Sequence, residues 1–526
     1  MQARVDFFIW VTRLYFWHMF VRKKVNESGV ISVQVIEKRL GKSILLKTVG
    51  SSSGLKEITS LVAAGKRFIA ERTGQISFHF DKHNEAQLVD LFFNGIKELS
   101  LAGPELLLGK LFDEIGFNAV KDDLFRHLVL TRLCYPVSKL KTTDYLFKHK
   151  GLSIDVEKIY RYLDKLNAKQ KHQVQTISYQ HTLKILNNEM SLVFYDVTTL
   201  YFEINQEDEL RKAGFSKEGK HQQPQIVLGL LVSTGGYPLA YEIFEGNKFE
   251  GHTMLPVIEA FKEKYKLKNL VVIADAGLMS NDNLSELQLK NYQYIIGARI
   301  KNETQAVQKQ ILSTRLKNGD STVIIKDEHS RIIISYSDAR ATKDAANRKR
   351  GVDKLEKNIA KGKLTKHHIN NRGYNKYLKL EGEITISIDK QKYKADAKWD
   401  GLKGYCTNTQ LTKDAIIENY NHLWQIEKAF RISKTDLRIR PIYHRIKRRI
   451  EAHICIAFCA YKVYKELERQ LKLKKATVSA EKAIDIAKTI YRITIQTNLS
   501  NTLHSRIYTD KDEQRYLLKL FNHNLG

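Results

Sequence analysis

Cysteine and acid are scarce in this chain, and two patterns that would each settle a class are missing. Its 526 residues include only four cysteines, Cys134, Cys406, Cys455 and Cys459. None forms a Cys-x2-Cys pair or a zinc-ligand spacing, so no zinc site is signalled and the usage fits a reducing cytosol. Cys455 and Cys459 lie four apart in an apolar helical run near His453. A metal site and a buried helix face are both readings of that run, and the buried face is the stronger. There is no GxxxxGK[ST] loop, which removes the phosphate cradle that an ATPase or helicase needs. No segment holds 18 uninterrupted apolar residues, so a membrane span is not expected. The leader Val5 to Phe20 is apolar and aromatic, but Arg13 and His18 interrupt it and no small-residue cleavage site follows. Met19 begins a more ordinary start, MFVRKK, and the expectation is that the protein begins there, with the first 18 residues non-native or dispensable.

What is abundant is base. Lys and Arg number 87 against 58 Asp and Glu, a net charge of +29, and the pI is near 9.6. That excess favours a polyanionic partner, because basic side chains that neutralise phosphates release condensed counterions. A hydrophobic content of 43% is ample for a folded interior, and the length suggests about two to four domains.

Periodicity divides the chain. Residues 19–98 read as a small α+β unit, a strand pair followed by a helix. Residues 99–190 are almost wholly helical, with short basic amphipathic segments that suit DNA-end recognition and plain packing equally. From Ser191 the period turns to strand. SLVFYDVTTLYFE is followed by PQIVLGLLVSTGGYPLAYEIFEGN, a hairpin turning near Gly235-Gly236. GHTMLPVIEAFKEKYKL then reads as a helix, NLVVIADAG as a strand, NDNLSELQLKN as a helix and YQYIIGARI as a strand, giving three strands, helix, strand, helix, strand over 191–300. Residues 301–410 read as an inserted, mainly β domain with one basic helical segment. Helices resume over 411–471, and 472–526 form a helical tail.

Three carboxylates carry the chemical signal. Asp196 and Asp275 interrupt apolar, β-branched runs, where an unpaired buried carboxylate would be costly. Glu427 is central to the helical stretch YNHLWQIEKAFRISK, seven residues after Tyr420 and seven before Lys434. Mg²⁺ is a hard ion that takes oxygen ligands in near-octahedral geometry. Carboxylates on separate rigid elements can hold two such ions about 4 Å apart, one activating a water or 3′-hydroxyl and one steadying the leaving oxygen. Asp196 would lie on the first strand, Asp275 at the end of the fourth, and Glu427 on a later helix beside them. The bland alternatives are a strand-end cap or an Arg pair for each Asp and an ordinary surface Glu. On one continuous helix, Tyr420, Leu423, Trp424, Glu427, Arg431, Lys434 and Arg438 would share a broad side. There Lys434 could hold a phosphate, Tyr420 could contact a terminal phosphate, and Trp424 is either a stacking platform for an unpaired base or core. Arg445 to Arg449 (RIKRR) and Arg348 to Arg350 (RKR) are candidate backbone contacts or solvated faces. His444 and His453 read as polar contacts rather than metal ligands.

These residues resemble the DDE-type insertion-sequence transposases, in the group whose glutamate lies in a Tyr-x2-Arg-x3-Glu-x6-Lys signature. Tyr420, Glu427 and Lys434 stand at those spacings, with Leu423 where the signature has Arg. That departure removes one expected phosphate contact, for which Arg431, Arg438 and Arg440 are nearby substitutes. Further matches are QIVLGLLV with Gly246-Asn247, and ADAGLMS around Asp275. The resemblance implies an α/β protein with a ribonuclease H-like catalytic core and a mainly β insertion between the second Asp and the Glu. Asp196, Asp275 and Glu427 would bind two Mg²⁺ ions, for which Mn²⁺ can substitute. Tyr420, Trp424, Arg431, Lys434, Arg438 and Arg440 would contact DNA.

The implied activity is cut-and-paste transposition: binding terminal inverted repeats, cleaving at the ends and joining the freed 3′-hydroxyls to target DNA. The partners would be double-stranded transposon ends and target DNA, with a homodimer on DNA, in the cytoplasm and at the nucleoid of a bacterium or archaeon. A metal-dependent nuclease that does not join strands is the alternative enzyme. A catalytically inactive DNA-binding remnant is the alternative from another class.

Overall fold

The computed structural model of the chain describes residues 18–39, 41–73, 82–203, 206–215, 222–267, 270–278, 280–381, 385–440, 442–496 and 502–522. Of the apolar leader, the residues before His18 lie outside that set. The chain divides into two units, Met1–Gly95 and Ile96–Gly526. Among the described residues no helix is long and apolar enough to cross a membrane.

The first unit is an antiparallel sheet of His18–Val25, Ile31–Arg39 and Lys42–Ser52. The central strand supplies its core through Val33, Val35 and Ile36, and the helix Leu55–Thr73 packs against it.

The second unit is built on an eight-stranded mixed sheet. Its strands are β1 (Leu192–Tyr201), β2 (Gln225–Ser233), β3 (Pro238–Glu245), β4 (Val271–Ala274), β5 (Gln293–Ala298), β6 (Ser321–Ile325), β7 (Arg331–Tyr336) and β8 (Leu402–Thr407). The spatial order is β6-β7-β8-β5-β4-β1-β2-β3. β1, β4 and β5 are mutually parallel where they pair; β2 and β3 on one side, and β8, β7 and β6 on the other, continue antiparallel. Every residue of β2 is buried, as expected of a strand covered on both faces. The β2–β3 hairpin turns at Gly235 and Gly236, both in the left-handed region at φ +87° and +77°, where glycine carries no Cβ penalty.

Two cores cover the two faces. Val193, Tyr195, Val197, Val272 and Ala274 pack with the helices Met254–Tyr265 and Asn281–Leu289. Phe194, Leu200, Val271 and Ile273 pack into the larger core, shared with the helical residues before Ser191 and the helices after β8. The helices used below are α1 (Asp123–Cys134), α2 (Lys139–Lys150), α3 (Asp338–Ala360), α4 (Lys413–Asn421), α5 (Trp424–Thr435) and α6 (Lys447–Leu473). α6 is buried along most of its length, and Cys455 and Cys459 belong to its packed face.

Two expectations change. Residues 301–410 are not mainly β: helix exceeds strand there, and three of the strands (β6, β7, β8) extend the central sheet. The basic segment holds as the 23-residue α3 because Ser337 caps it and Val352 and Leu355 pack on Tyr377 and Leu378. The tail is not only helical. Tyr491–Gln496 and Leu503–Tyr508 form a three-stranded sheet with Ile96–Leu101, where the β-branched run Ile493, Thr494, Ile495 favours strand.

Candidate active site

Alternation along β1 decides which way Asp196 points. Tyr195 and Val197 enter one core and Phe194 the other, so Asp196 faces the side of Phe194, where it is half-exposed. On β4, Ala274 enters the first core and Ile273 the second, so Asp275, the next residue, falls on the same side as Asp196. Parallel register pairs Tyr195 with Ala274. The two aspartates are therefore the next residues on adjoining strands, which lie about 4.8 Å apart.

α4 and α5 cover that face. Ile416 and Tyr420 of α4, and Ile426, Ala429 and Phe430 of α5, are buried in the core that receives Phe194 and Ile273. The single helix expected around Glu427 is broken at His422–Leu423, where Leu423 N–H donates to Tyr420 O at 3.0 Å and Ile426 N–H to Leu423 O at 3.1 Å. The side chain at the break, Leu423, is only 7% exposed and belongs to the core. Position 423 thus points inward, where an apolar side chain suits the core. Glu427 lies in the first turn of α5 and is exposed, a position the helix N-terminus favours for an anion.

Tyr420 departs from its expected role as a phosphate contact. It is 6% exposed, and its hydroxyl donates to Oδ1 of Asp275 at 3.1 Å. Burial first, then the Asp275 charge, pushes its phenol up. The ring meets Tyr405 edge-on at 4.9 Å, and the Lys403 ammonium lies over it at 4.6 Å. Gly297 on β5 makes this arrangement possible, because a Cβ there would stand 2.4 Å from the Tyr420 hydroxyl. Burial lowers the Lys403 pKa, while Asp275 and Glu427 both act to raise it. One ammonium therefore feels both carboxylates, linking the end of β4 to the start of α5.

Lys403, Tyr405 and Gly297 were not singled out from sequence. A glycine inside an apolar strand is a recognised sign of close approach, so Gly297 carried a usable signal. Lys403 in GLKGYC carried none. Among the described residues, no group of three His, Cys, Asp or Glu is arranged so that it could hold a metal ion. The site has its acidic residues on one face, with the three not yet within joint reach.

Four of the other expected DNA contacts line two separate cavities, and Lys434 lines neither. Trp424, which could have been core, is 54% exposed and lines one cavity with Arg431 and Lys428. Arg438 and Arg440 line the other. Arg438 lies beyond the end of α5 at φ +43°, not on its face, and the Arg440 guanidinium sits over the Tyr201 ring at 5.3 Å. Arg431 is exposed and Lys434 half-buried. Parts of the two basic tracts are occupied within the fold. Arg449 binds Asp164 through two nitrogens at 3.1 Å, with Arg448 at 2.8 Å from the same carboxylate, and Arg348 is buried against Asp400.

Residues 187–462, more than half of the chain, match the family model described as "Transposase DDE domain". Three solved structures are similar. One is the piggyBac transposase synaptic complex with hairpin DNA, at 9% identity and a TM-score of 0.37, with 76% of this chain and 79% of that chain covered. Another is the Mos1 transposase paired-end complex with left transposon end, at 9% identity and a TM-score of 0.15, covering 30% of this chain and 58% of that one. The third, a Mos1 mariner paired end complex with Mn, gives 11% identity, a TM-score of 0.14 and coverage of 30% and 54%. No curated protein sequence matches the chain.

Proposed function

The chain belongs to the transposase DDE domain family, and on that premise we propose that it is an insertion-sequence transposase that cleaves transposon ends and joins them to target DNA. Asp196, Asp275 and Glu427 are its catalytic carboxylates. The observation that carries the reading is the placement of both aspartates at the same register of adjoining parallel strands, beneath the helix that bears Glu427. The strand order β3-β2-β1-β4-β5, with β2 antiparallel, supports a ribonuclease H-like core. The segment between Asp275 and Glu427 then corresponds to the insertion carried by the Tyr-x2-Arg-x3-Glu-x6-Lys group.

The donor set fits Mg²⁺ or Mn²⁺ in kind: carboxylate oxygens only, at half-exposed and exposed positions. When bound, a pair of such ions would activate the attacking water or 3′-hydroxyl and stabilise the leaving oxygen. The chain's own residues prepare this. Tyr420 fixes the rotamer of Asp275 through its hydrogen bond. Gly297 leaves the room for that hydroxyl. Lys403 supplies counter-charge to Asp275 and Glu427, limiting their mutual repulsion. Trp424 with Arg431, and Arg438 with Arg440, line two separate cavities and would hold DNA there. Pairing two ends calls for a homodimer on DNA, acting at the nucleoid in the cytoplasm of a bacterium or archaeon.

The test is Mg²⁺-dependent cleavage and joining of labelled end DNA by the wild type and by Glu427→Gln. Joined strands from the wild type alone are the expected result. Nicks without joining would make the protein a nuclease, and end binding with no product from either would make it an inactive remnant.

A further inference from the structure

A cavity of about 490 Å³ lies where α1 and α2 meet the segment that follows α5. Arg132, Lys139, Arg438, Arg440, His444 and His453 line it, and no acidic residue does. Two of the cations are inside the protein: Arg132 is 6% exposed and Lys139 5%. Among the described residues neither makes an ion pair. Arg132 reaches only the carbonyls of Leu437 and Arg438, at 3.4 and 3.5 Å. Burial first, then the neighbouring charge of Arg132, lowers the Lys139 pKa, and no acidic group acts to raise it.

The imidazoles repeat the pattern. His453 is 6% exposed; its Nε2 contacts Ile439 O at 3.0 Å, while Nδ1 is buried with no partner. His444 lies edge-on to His453 and to Tyr160. Burial, then the charges of Lys139, Arg132 and Arg449, brings His444 down to about 3. Ser138 caps α2, so the N-terminal N–H groups of that helix add to the positive end.

Buried cations without partners are costly to keep, and this fold keeps two side by side at an opening large enough for a group from outside. We propose that the cavity is a phosphate-binding site and, resting on the transposase reading, that it takes one backbone phosphate of the bound DNA strand. Planar Arg and compact Lys donors suit phosphate oxygens. The volume exceeds what a bare phosphate fills and leaves room for the adjoining sugar. The lining segment Arg438 to His444 follows directly from the helix that carries Glu427, so a phosphate held here belongs to a strand passing the carboxylates.

The experiment uses the full chain and inorganic phosphate as the probe, against chloride at equal ionic strength. Phosphate should raise the thermal midpoint of the wild type. In Lys139→Met that rise should vanish, while the midpoint in chloride goes up because an unpaired buried charge is gone. Affinity for duplex DNA should fall about tenfold in the variant, and the slope of log affinity against log salt should shrink by about one. Arg438→Gly is the second variant, since Arg438 is exposed and already left-handed, and it reports on the same cavity if Lys139→Met does not fold. A phosphate-induced rise of wild-type size in both variants, or no phosphate-specific rise in the wild type, would overturn the site. Phosphate protection lost with DNA affinity unchanged would keep the phosphate site and overturn its DNA source. Absence of end cleavage by a wild type that still shows the phosphate effect would defeat the transposase reading alone.

Discussion

The carboxylate face and the basic cavity are opposite in sign and opposite in exposure. Asp196, Asp275 and Glu427 stand half in water or fully in it, with Lys403 and the Tyr420 hydroxyl already close to part of the set. Arg132 and Lys139 are buried with no acid beside them. Carboxylates near the surface keep access to water beside their protein contacts while they wait for a cation. Cations withdrawn into the protein meet water only through the cavity, so more of their cost is borne by the fold until an anion arrives. The difference separates a site organised for chemistry, adjustable at its edge, from one organised for holding.

Breaking the acidic side should have the largest effect. Asp196→Asn, Asp275→Asn or Glu427→Gln should each lower the cleavage rate by on the order of a thousandfold, with DNA affinity within about threefold of wild type; single-turnover assays beside binding isotherms would check this. Next comes Leu423→Arg, which places a guanidinium in the core. It should destabilise the chain by about 3 kcal/mol or more, read by denaturant unfolding, and a variant as stable as wild type would show that position 423 faces DNA after all. Tyr420→Phe removes one hydrogen bond to Asp275 and should lower turnover about tenfold, matching about 1.4 kcal/mol. Gly297→Ala, which displaces the same hydroxyl, should cost at least as much, and combining the two should add little, since both act on one contact.

The most gradual effect, spread over pH, sharpens the basic side. His444 in the cavity is held down at about 3, and His181, outside it on the helix Lys171–Ile185, at about 4, both chiefly by burial. Below about 6.5 the unfolded chain takes up protons that the native state refuses, so stability falls as pH drops from about 6.5 toward 4. Each group contributes at most about 1.4 kcal/mol per pH unit over that range. His444→Gln should flatten the fall, and phosphate should flatten it in the wild type, both measurable as thermal midpoints across pH.

The strand placement of the two aspartates was legible in sequence and the buried pair of the basic cavity was not, for a physical reason. Asp196 and Asp275 interrupt runs of Val, Ile and Phe, where a carboxylate needs explaining. Arg132 and Lys139 sit in helical segments where Lys and Arg are ordinary, and only folding reveals that both point inward without acids. The helix around Glu427 was expected to be continuous. Its break at Leu423 follows from a tertiary preference, burial of that side chain, which periodicity does not report. For the same reason Tyr420 read as a DNA contact, although its hydroxyl belongs to Asp275. The succession of elements from β1 to β5 along the chain followed from the alternation of apolar segments and turns, whereas the later strands read as a separate β insertion because nothing local marks them as members of the same sheet.

The most direct test of the central claim is calorimetric titration of the full chain with Mn²⁺, comparing wild type with Asp275→Asn and Glu427→Gln. If Asp196, Asp275 and Glu427 form one ion site, the wild type should bind Mn²⁺ and each variant should bind at least about tenfold more weakly. Equal binding in all three proteins would contradict the shared site.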